Sequence, residues 1–269
     1  MRNPRFLPLV LHLSLVLGWI ALTDRAFAQD REVEKAVEPF NPNDPSQVAK
    51  LLEPFRKPSE KWEDDVAIII PGNSKDGGPE HILFLGSSSF RRWDSIAQDM
   101  SNFHVVRRAY GGAKYRDLAI HTPALIRGLQ FAKAVVFIAN DITGKEDDTD
   151  PEVVAKLARV VVNQLHREQP KAEVFLLAVT PTPSRYHLWP RIQKTNAELK
   201  AIADSTERVY YIPTAYAFLD QDGIPKAQYF VEDKLHPNEA GYQVWSKIIA
   251  KALQRDPGSQ PEVGAATSK

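Results

Sequence analysis

Five short runs of apolar and β-branched residues recur along the chain, at 81–85, 104–108, 134–139, 173–179 and 208–212, and polar or turn-forming residues follow each one. That pattern predicts strands. Between and after them lie longer stretches, 93–100, 151–168, 191–205 and 238–254, in which apolar positions return every three or four residues, the period of a helix with one buried face. Strands alternating with helices predict a mostly parallel sheet covered on both sides. Ligands of such sheets bind outside the carboxyl ends of the strands. This rule gathers Ser87 to Ser89, Gly111 and Gly112, Asn140 and Asp141, and the stretch 180–185 at one mouth.

The flanking segments read differently. Residues 1–28 carry Arg2 and Arg5, then an apolar run over 6–22 broken by His12 and Ser14, then Ala26-Phe27-Ala28. These are the parts of a secretory signal peptide with an A-x-A cleavage site. Cleavage after Ala28 is expected, with export to the periplasm or beyond and no stable membrane anchor afterwards. Residues 29–80 are charged and proline-bearing, with one helical pattern over 46–55 that places Val48, Leu51, Leu52 and Phe55 on a common face. They are expected to wrap the domain at 81–255 as an N-terminal extension, closed by the turn-rich "NSKDGGPE". The tail 256–269 has no apolar period and is expected to be disordered.

Of the 269 residues, 43% are hydrophobic and 25% charged, the balance of one main globular domain. Thirty-four basic and 34 acidic residues cancel, so no broad basic field recruits nucleic acid. The chain has no cysteine, which excludes thiol catalysis, disulfides and cysteine metal sites. It also lacks HExxH, paired His-x-His and calcium-loop motifs, so no metal is expected, and "EDDTD" at 146–150 reads as a solvated loop before a helix.

Neutral histidine is the usual general base near neutral pH. His81 and His104 open strands, His121 and His166 fall in helical stretches and His187 in a loop, so each reads as structural or surface. His236 has different company. In "EDKLHPNEAGY" Asp233 precedes it by three residues, a spacing that lets one turn bring the carboxylate to Nδ1 while Nε2 faces outward. Pro237 and Asn238 then start a helix. A serine hydroxyl attacks an ester only with such a base, an orienter for it and donors for the oxyanion. The serines of "ILFLGSSSFRRW", the glycines at 111 and 112 and the amide of Asn140 are candidates for the remaining parts.

Over about residues 62–253 the chain resembles the SGNH (GDSL-type) hydrolases. "ILFLGSSSFRRW" is similar to their first block, with Gly86-Ser87-Ser88 in place of Gly-Asp-Ser. The resemblance therefore implies Ser88 as nucleophile; Ser87, standing where the family has aspartate, reads as a turn and hydrogen-bonding residue, and Ser89 as the cap of the helix that follows. "VVRRAYGGAKYRD" resembles the second block and implies Gly112 N–H as an oxyanion donor beside that of Ser88. "FIANDI" resembles the third, with Asn140 as the side-chain donor, and "DKLHPNEAGY" resembles the fifth, with Asp233 and His236 completing a triad. Two positions depart from the pattern: Ala139 stands where the family has glycine, and an asparagine often found early in the second block is replaced around Arg107. A flavodoxin-like three-layer α/β/α sandwich around a five-stranded sheet and cofactor-free ester hydrolysis are also implied.

The stretch 180–196 leaves the fourth strand at the mouth and carries Arg185, Tyr186 and Trp189, which read either as a set that stacks on a sugar or aromatic acid and clamps a carboxylate or, for Trp189, as a core residue with Pro190 starting the next helix. Of Arg91 and Arg92, at least one reads as a solvated helix-face charge. The leading expectation is a secreted serine esterase acting on a small-molecule or carbohydrate O-acyl ester. The alternatives are a carbohydrate O-deacetylase or acyltransferase of the cell envelope, and a non-catalytic domain that keeps the fold.

Overall fold

The computed structural model describes residues 39–255. The expected signal peptide, the first part of the extension and the tail 256–269 lie outside the described residues. All that follows concerns the unit that begins at Asn41.

Five strands, β1 Ile82–Gly86, β2 Val105–Ala109, β3 Lys133–Phe137, β4 Glu173–Leu177 and β5 Val209–Ile212, form one parallel sheet in the order β2-β1-β3-β4-β5. This is the flavodoxin-like order, whose direction of winding reverses between β1 and β3. The six principal helices are α1 Pro45–Leu52, α2 Glu63–Ile69, α3 Tyr115–Ile126, α4 Pro151–Glu168, α5 Trp189–Ser205 and α6 Glu239–Leu253. Both faces of the sheet are covered, so its strands are buried runs rather than alternating ones. On one face Ile82, Phe84, Val135, Phe137, Phe175 and Leu177 pack with Phe90, Trp93, Met100, Tyr242, Trp245 and Ile249. The alternate residues Leu83, Leu85, Ala134, Val136, Val174 and Leu176 point the other way, where α3, α4 and α5 lie side by side.

Helix α3 is absent from the hydrophobic pattern for physical reasons. Its N-cap is Lys114, whose backbone N–H donates to Asp117 Oδ2 at 2.9 Å, and Arg116, Asp117, His121 and Thr122 are all buried, so no clean apolar stripe appears. The helix expected over 93–100 is a single turn, Ile96–Asp99. Trp93 and Ser95 both donate to Asp99 Oδ2, at 2.6 and 2.7 Å, so local side-chain bonds compete with the helix there.

The segment before β1 is a chain of short helical turns. It is fastened to α3 by the short hydrogen bond from Ser59 Oγ to Asp117 and by Ser59 O, which faces His121 Nε2 at 3.0 Å. "EDDTD" forms the expected loop before α4, exposed at Glu146, Asp147 and Asp150, but the carboxylates of Asp147 and Asp148 are tied to neighbours. Asp148 accepts from Thr143 N and Oγ1 and from Gly144 N, and pairs with Arg191, while Asp147 pairs with Lys114 and Arg116. Partial burial alone would raise the Asp148 carboxyl, but these donors hold it below the ordinary carboxylate value.

Candidate active site

The loops at the carboxyl ends of β1 and β3 meet at the point where the sheet reverses its winding. β1 ends in Gly86 because there is no room for a side chain: a Cβ would lie 2.3 Å from Phe137 O on β3. Ser87 is extended and occupies the N-cap of the single turn Ser88–Arg91. This corrects the expectation for Ser89, which lies inside that turn, is buried, and uses its carbonyl to accept from Tyr242 Oη at 2.8 Å. The turn is too short and too tightly packed against α6 for a later cap.

Ser88 Oγ lies 2.9 Å from His236 Nε2, and His236 Nδ1 lies 2.7 Å from Asp233 Oδ2. The other oxygen, Asp233 Oδ1, accepts from the backbone N–H groups of Leu235 and His236, each at 2.9 Å. Partial burial opposes ionisation of Asp233, but these donors and the imidazole outweigh it and hold the carboxyl down to about 2. Arg92 Nη1 stands 3.6 Å from Asp233 Oδ2, an exposed ion pair that no expectation included. His236 is held from behind: Val231 N donates to its carbonyl, and Asn238 caps α6 by accepting from Gly241 N at 3.0 Å. Lys234, between the two, adopts a left-handed φ of 56° that the tight Asp-to-His turn imposes.

Across the mouth, a Cβ on Gly112 would be 3.9 Å from Asn140 Nδ2, so these two groups are neighbours. Asn140 Nδ2 donates to Ala113 O at 3.2 Å and makes a long contact of 3.5 Å with Ser87 Oγ. Its Oδ1 accepts from Arg185 Nη2 at 3.1 Å, and Arg185 Nη1 donates to Ala139 O at 2.8 Å. Burial lowers the Arg185 pKa from its ordinary value, with Asp148 acting against that fall.

Ser87, Ser88, Asn140, Thr182, Arg185 and His236 line one cleft, with Phe137, Val179, Ile192, Phe230 and Trp245 among its apolar walls. Of the three side chains expected to meet substrate, Arg185 reaches the cleft. Tyr186 and Trp189 do not line it: the Tyr186 hydroxyl donates to Gly223 O at 2.8 Å, and Trp189 is buried at the head of α5. Two contributors escaped the sequence. Trp245 Nε1 donates to Thr180 Oγ1 at 3.2 Å, and Tyr242 stacks on Trp93 with ring centroids 5.0 Å apart, so α6 braces both sides of the cleft floor. Their spacing on one face of α6 was the available signal. Among the described residues, no group of three or more His, Cys, Asp or Glu converges to hold a metal ion, and no helix is long and apolar enough to cross a membrane.

The family model of the GDSL-like Lipase/Acylhydrolase family matches residues 76–244. No curated protein matches the chain. Among solved structures, a Streptococcus pneumonia protein that bears a platelet activating factor name aligns with TM-score 0.64 and 22% identity, covering 78% of this chain and 100% of that one. A GDSL-like lipase from Bacteroides thetaiotaomicron VPI-5482 aligns with TM-score 0.59 and 16% identity, covering 72% and 96%. A carbohydrate esterase family 3 protein from Talaromyces cellulolyticus aligns with TM-score 0.52 and 14% identity, covering 64% and 95%. At these identities the structural likeness concerns the fold.

Proposed function

The chain belongs to the GDSL-like Lipase/Acylhydrolase family and is a hydrolase acting on ester bonds, and from that premise we propose that it is an exported serine esterase with Ser88, His236 and Asp233 as its triad. The observation that carries this reading is the unbroken relay from Asp233 Oδ2 to His236 Nδ1 at 2.7 Å and from His236 Nε2 to Ser88 Oγ at 2.9 Å.

His236 Nε2 takes the Ser88 proton as Oγ attacks the acyl carbon. Asp233, ionised and hydrogen-bonded to Nδ1–H, holds the ring in the tautomer that leaves Nε2 basic and then stabilises the imidazolium. The carbonyl oxygen gains charge as the tetrahedral intermediate forms, and the N–H groups of Ser88 and Gly112 with Asn140 Nδ2 receive it. The imidazolium returns its proton to the departing alkoxide, leaving an acyl-enzyme on Ser88. Water activated by the same imidazole then releases the acid.

The substrate is a small-molecule or carbohydrate O-acyl ester. The aromatic and aliphatic walls from Phe137, Val179, Ile192, Phe230 and Trp245 stand beside the nucleophile and suit a compact acyl group. A carbohydrate O-deacetylase or acyltransferase of the cell envelope is the second reading, favoured by the fold shared with a carbohydrate esterase. The signal-peptide pattern of residues 1–28 supports export. A fluorophosphonate probe should modify Ser88, identified by peptide mass spectrometry, and should fail on His236→Ala. Modification of Ser87 or Ser89 instead would refute the assignment.

A further inference from the structure

We propose that Arg185 is a positioning residue that fixes the Asn140 amide, turning Nδ2 toward the oxyanion and Oδ1 away from it. The inference rests on the esterase reading above and adds a part to its oxyanion site.

A side-chain amide presents a donor and an acceptor of nearly equal shape, so Asn140 alone could serve the oxyanion site in either orientation. With Oδ1 forward it would repel the developing charge. A guanidinium carries only donors. Its Nη2 lies 3.1 Å from Asn140 Oδ1, while Nη1 is anchored on Ala139 O at 2.8 Å, one residue before the asparagine. A flipped amide would set two donors against each other at Arg185 and two acceptors against each other at Ala113 O, which Nδ2 now contacts at 3.2 Å. The planar fork therefore locks both the backbone and the amide of the residue that stabilises charge.

One Nδ2 proton goes to Ala113 O. The second has only the 3.5 Å contact with Ser87 Oγ, too long to hold it firmly, and so it remains available beside Gly112. Among the described residues no carboxylate lies within ion-pair distance of Arg185. Asp148, which acts on it at longer range, is engaged by Thr143, Gly144 and Arg191. The positive charge is thus left to act through the amide, polarising Nδ2–H where negative charge develops. Arg185 also sits on the loop after β4, whereas Asn140 follows β3, so the lock joins two separately built walls of the cleft.

The test is a double-mutant cycle on p-nitrophenyl acetate with Arg185→Ala, Arg185→Lys, Asn140→Ala and the pair Arg185→Ala/Asn140→Ala. Arg185→Ala should lower kcat about 10- to 100-fold with KM changed less than about threefold, within the loss caused by removing an oxyanion donor outright. Arg185→Lys, which keeps the charge but not the fork, should be intermediate. In the Asn140→Ala background the second substitution should change kcat less than about twofold. Added guanidinium should restore part of the rate to Arg185→Ala and none to the double variant. Multiplicative losses, or a raised KM with kcat preserved, would overturn the proposal and make Arg185 a substrate contact. If Arg185→Ala does not fold, Arg185→Lys carries the same cycle. Full activity of Ser88→Ala would instead defeat the esterase reading itself, whatever Arg185 does.

Discussion

Trp62 packs directly against Gly111: a Cβ on that glycine would stand 1.9 Å from the nearest indole carbon, and its φ is +30°. The turn that presents Gly112 to the mouth is therefore moulded on a side chain from the segment before the sheet. Trp62 also meets Tyr110 edge to face at 5.7 Å between ring centroids. Gly111→Ala should lose about 1–3 kcal/mol of stability from backbone strain, with further loss from displacement of the ring. Trp62→Leu added to Gly111→Ala should recover part of it. Urea unfolding of wild type and the two variants measures this. Equal stability of Gly111→Ala and wild type would show that the turn is not set by the indole.

Asp233 contributes to the relay in its ionised form. Its carboxyl, held down to about 2 by the Leu235 and His236 N–H groups and the imidazole, stays charged far below neutral pH. The acid limb of the rate profile should therefore carry no contribution from Asp233 above about pH 3 and should have a slope of one in log kcat/KM against pH. A slope of two above pH 3 would mean that Asp233 titrates there as well. Asp233→Asn should cost roughly 10²- to 10⁴-fold in kcat by favouring the wrong tautomer, with the fold retained. Exposure of the carboxylate side lets water substitute in part, which places the loss toward the lower end.

Asp141, next to Asn140, is buried and accepts from Tyr115 N at the start of α3. Burial pushes its carboxyl up to about 7, against the pull of Tyr115 N–H and Lys114. A raised folded value means the protonated group favours the folded state. That stability is present below the ordinary carboxylate range of about 4 and is lost as pH rises through about 7. Asp141→Asn keeps an acceptor for Tyr115 N–H and cannot ionise. The gap between the two proteins in urea midpoint should shift in favour of the variant between pH 4 and 8, and parallel curves would contradict the burial of a titrating carboxylate.

The sheet was legible because each strand is a short apolar run closed by turn residues, and the order of the loops followed from the parallel topology. His236 and Asp233 were legible because a local spacing of three residues places them together. The choice of Ser88 from "GSSS" came only through resemblance; in the folded chain it is the one of the three serines whose hydroxyl meets His236. What stayed hidden depends on distance in sequence. The Arg185 and Asn140 contact spans 45 residues, Tyr242 and Ser89 span 153, and Trp62 reaches Gly111 from a segment that reads as charged text. Helix α3 was legible only as a helical stretch around His121, without a clean apolar stripe, since Asp117 and Arg116 are buried against partners elsewhere in the chain.

Hydrolysis of p-nitrophenyl acetate by wild type and Ser88→Ala, both shown by circular dichroism to be folded, tests the central claim most directly. Loss of at least about 10⁴-fold in kcat with an unchanged fold is the expected result. Equal rates in the two proteins would contradict Ser88 as the nucleophile.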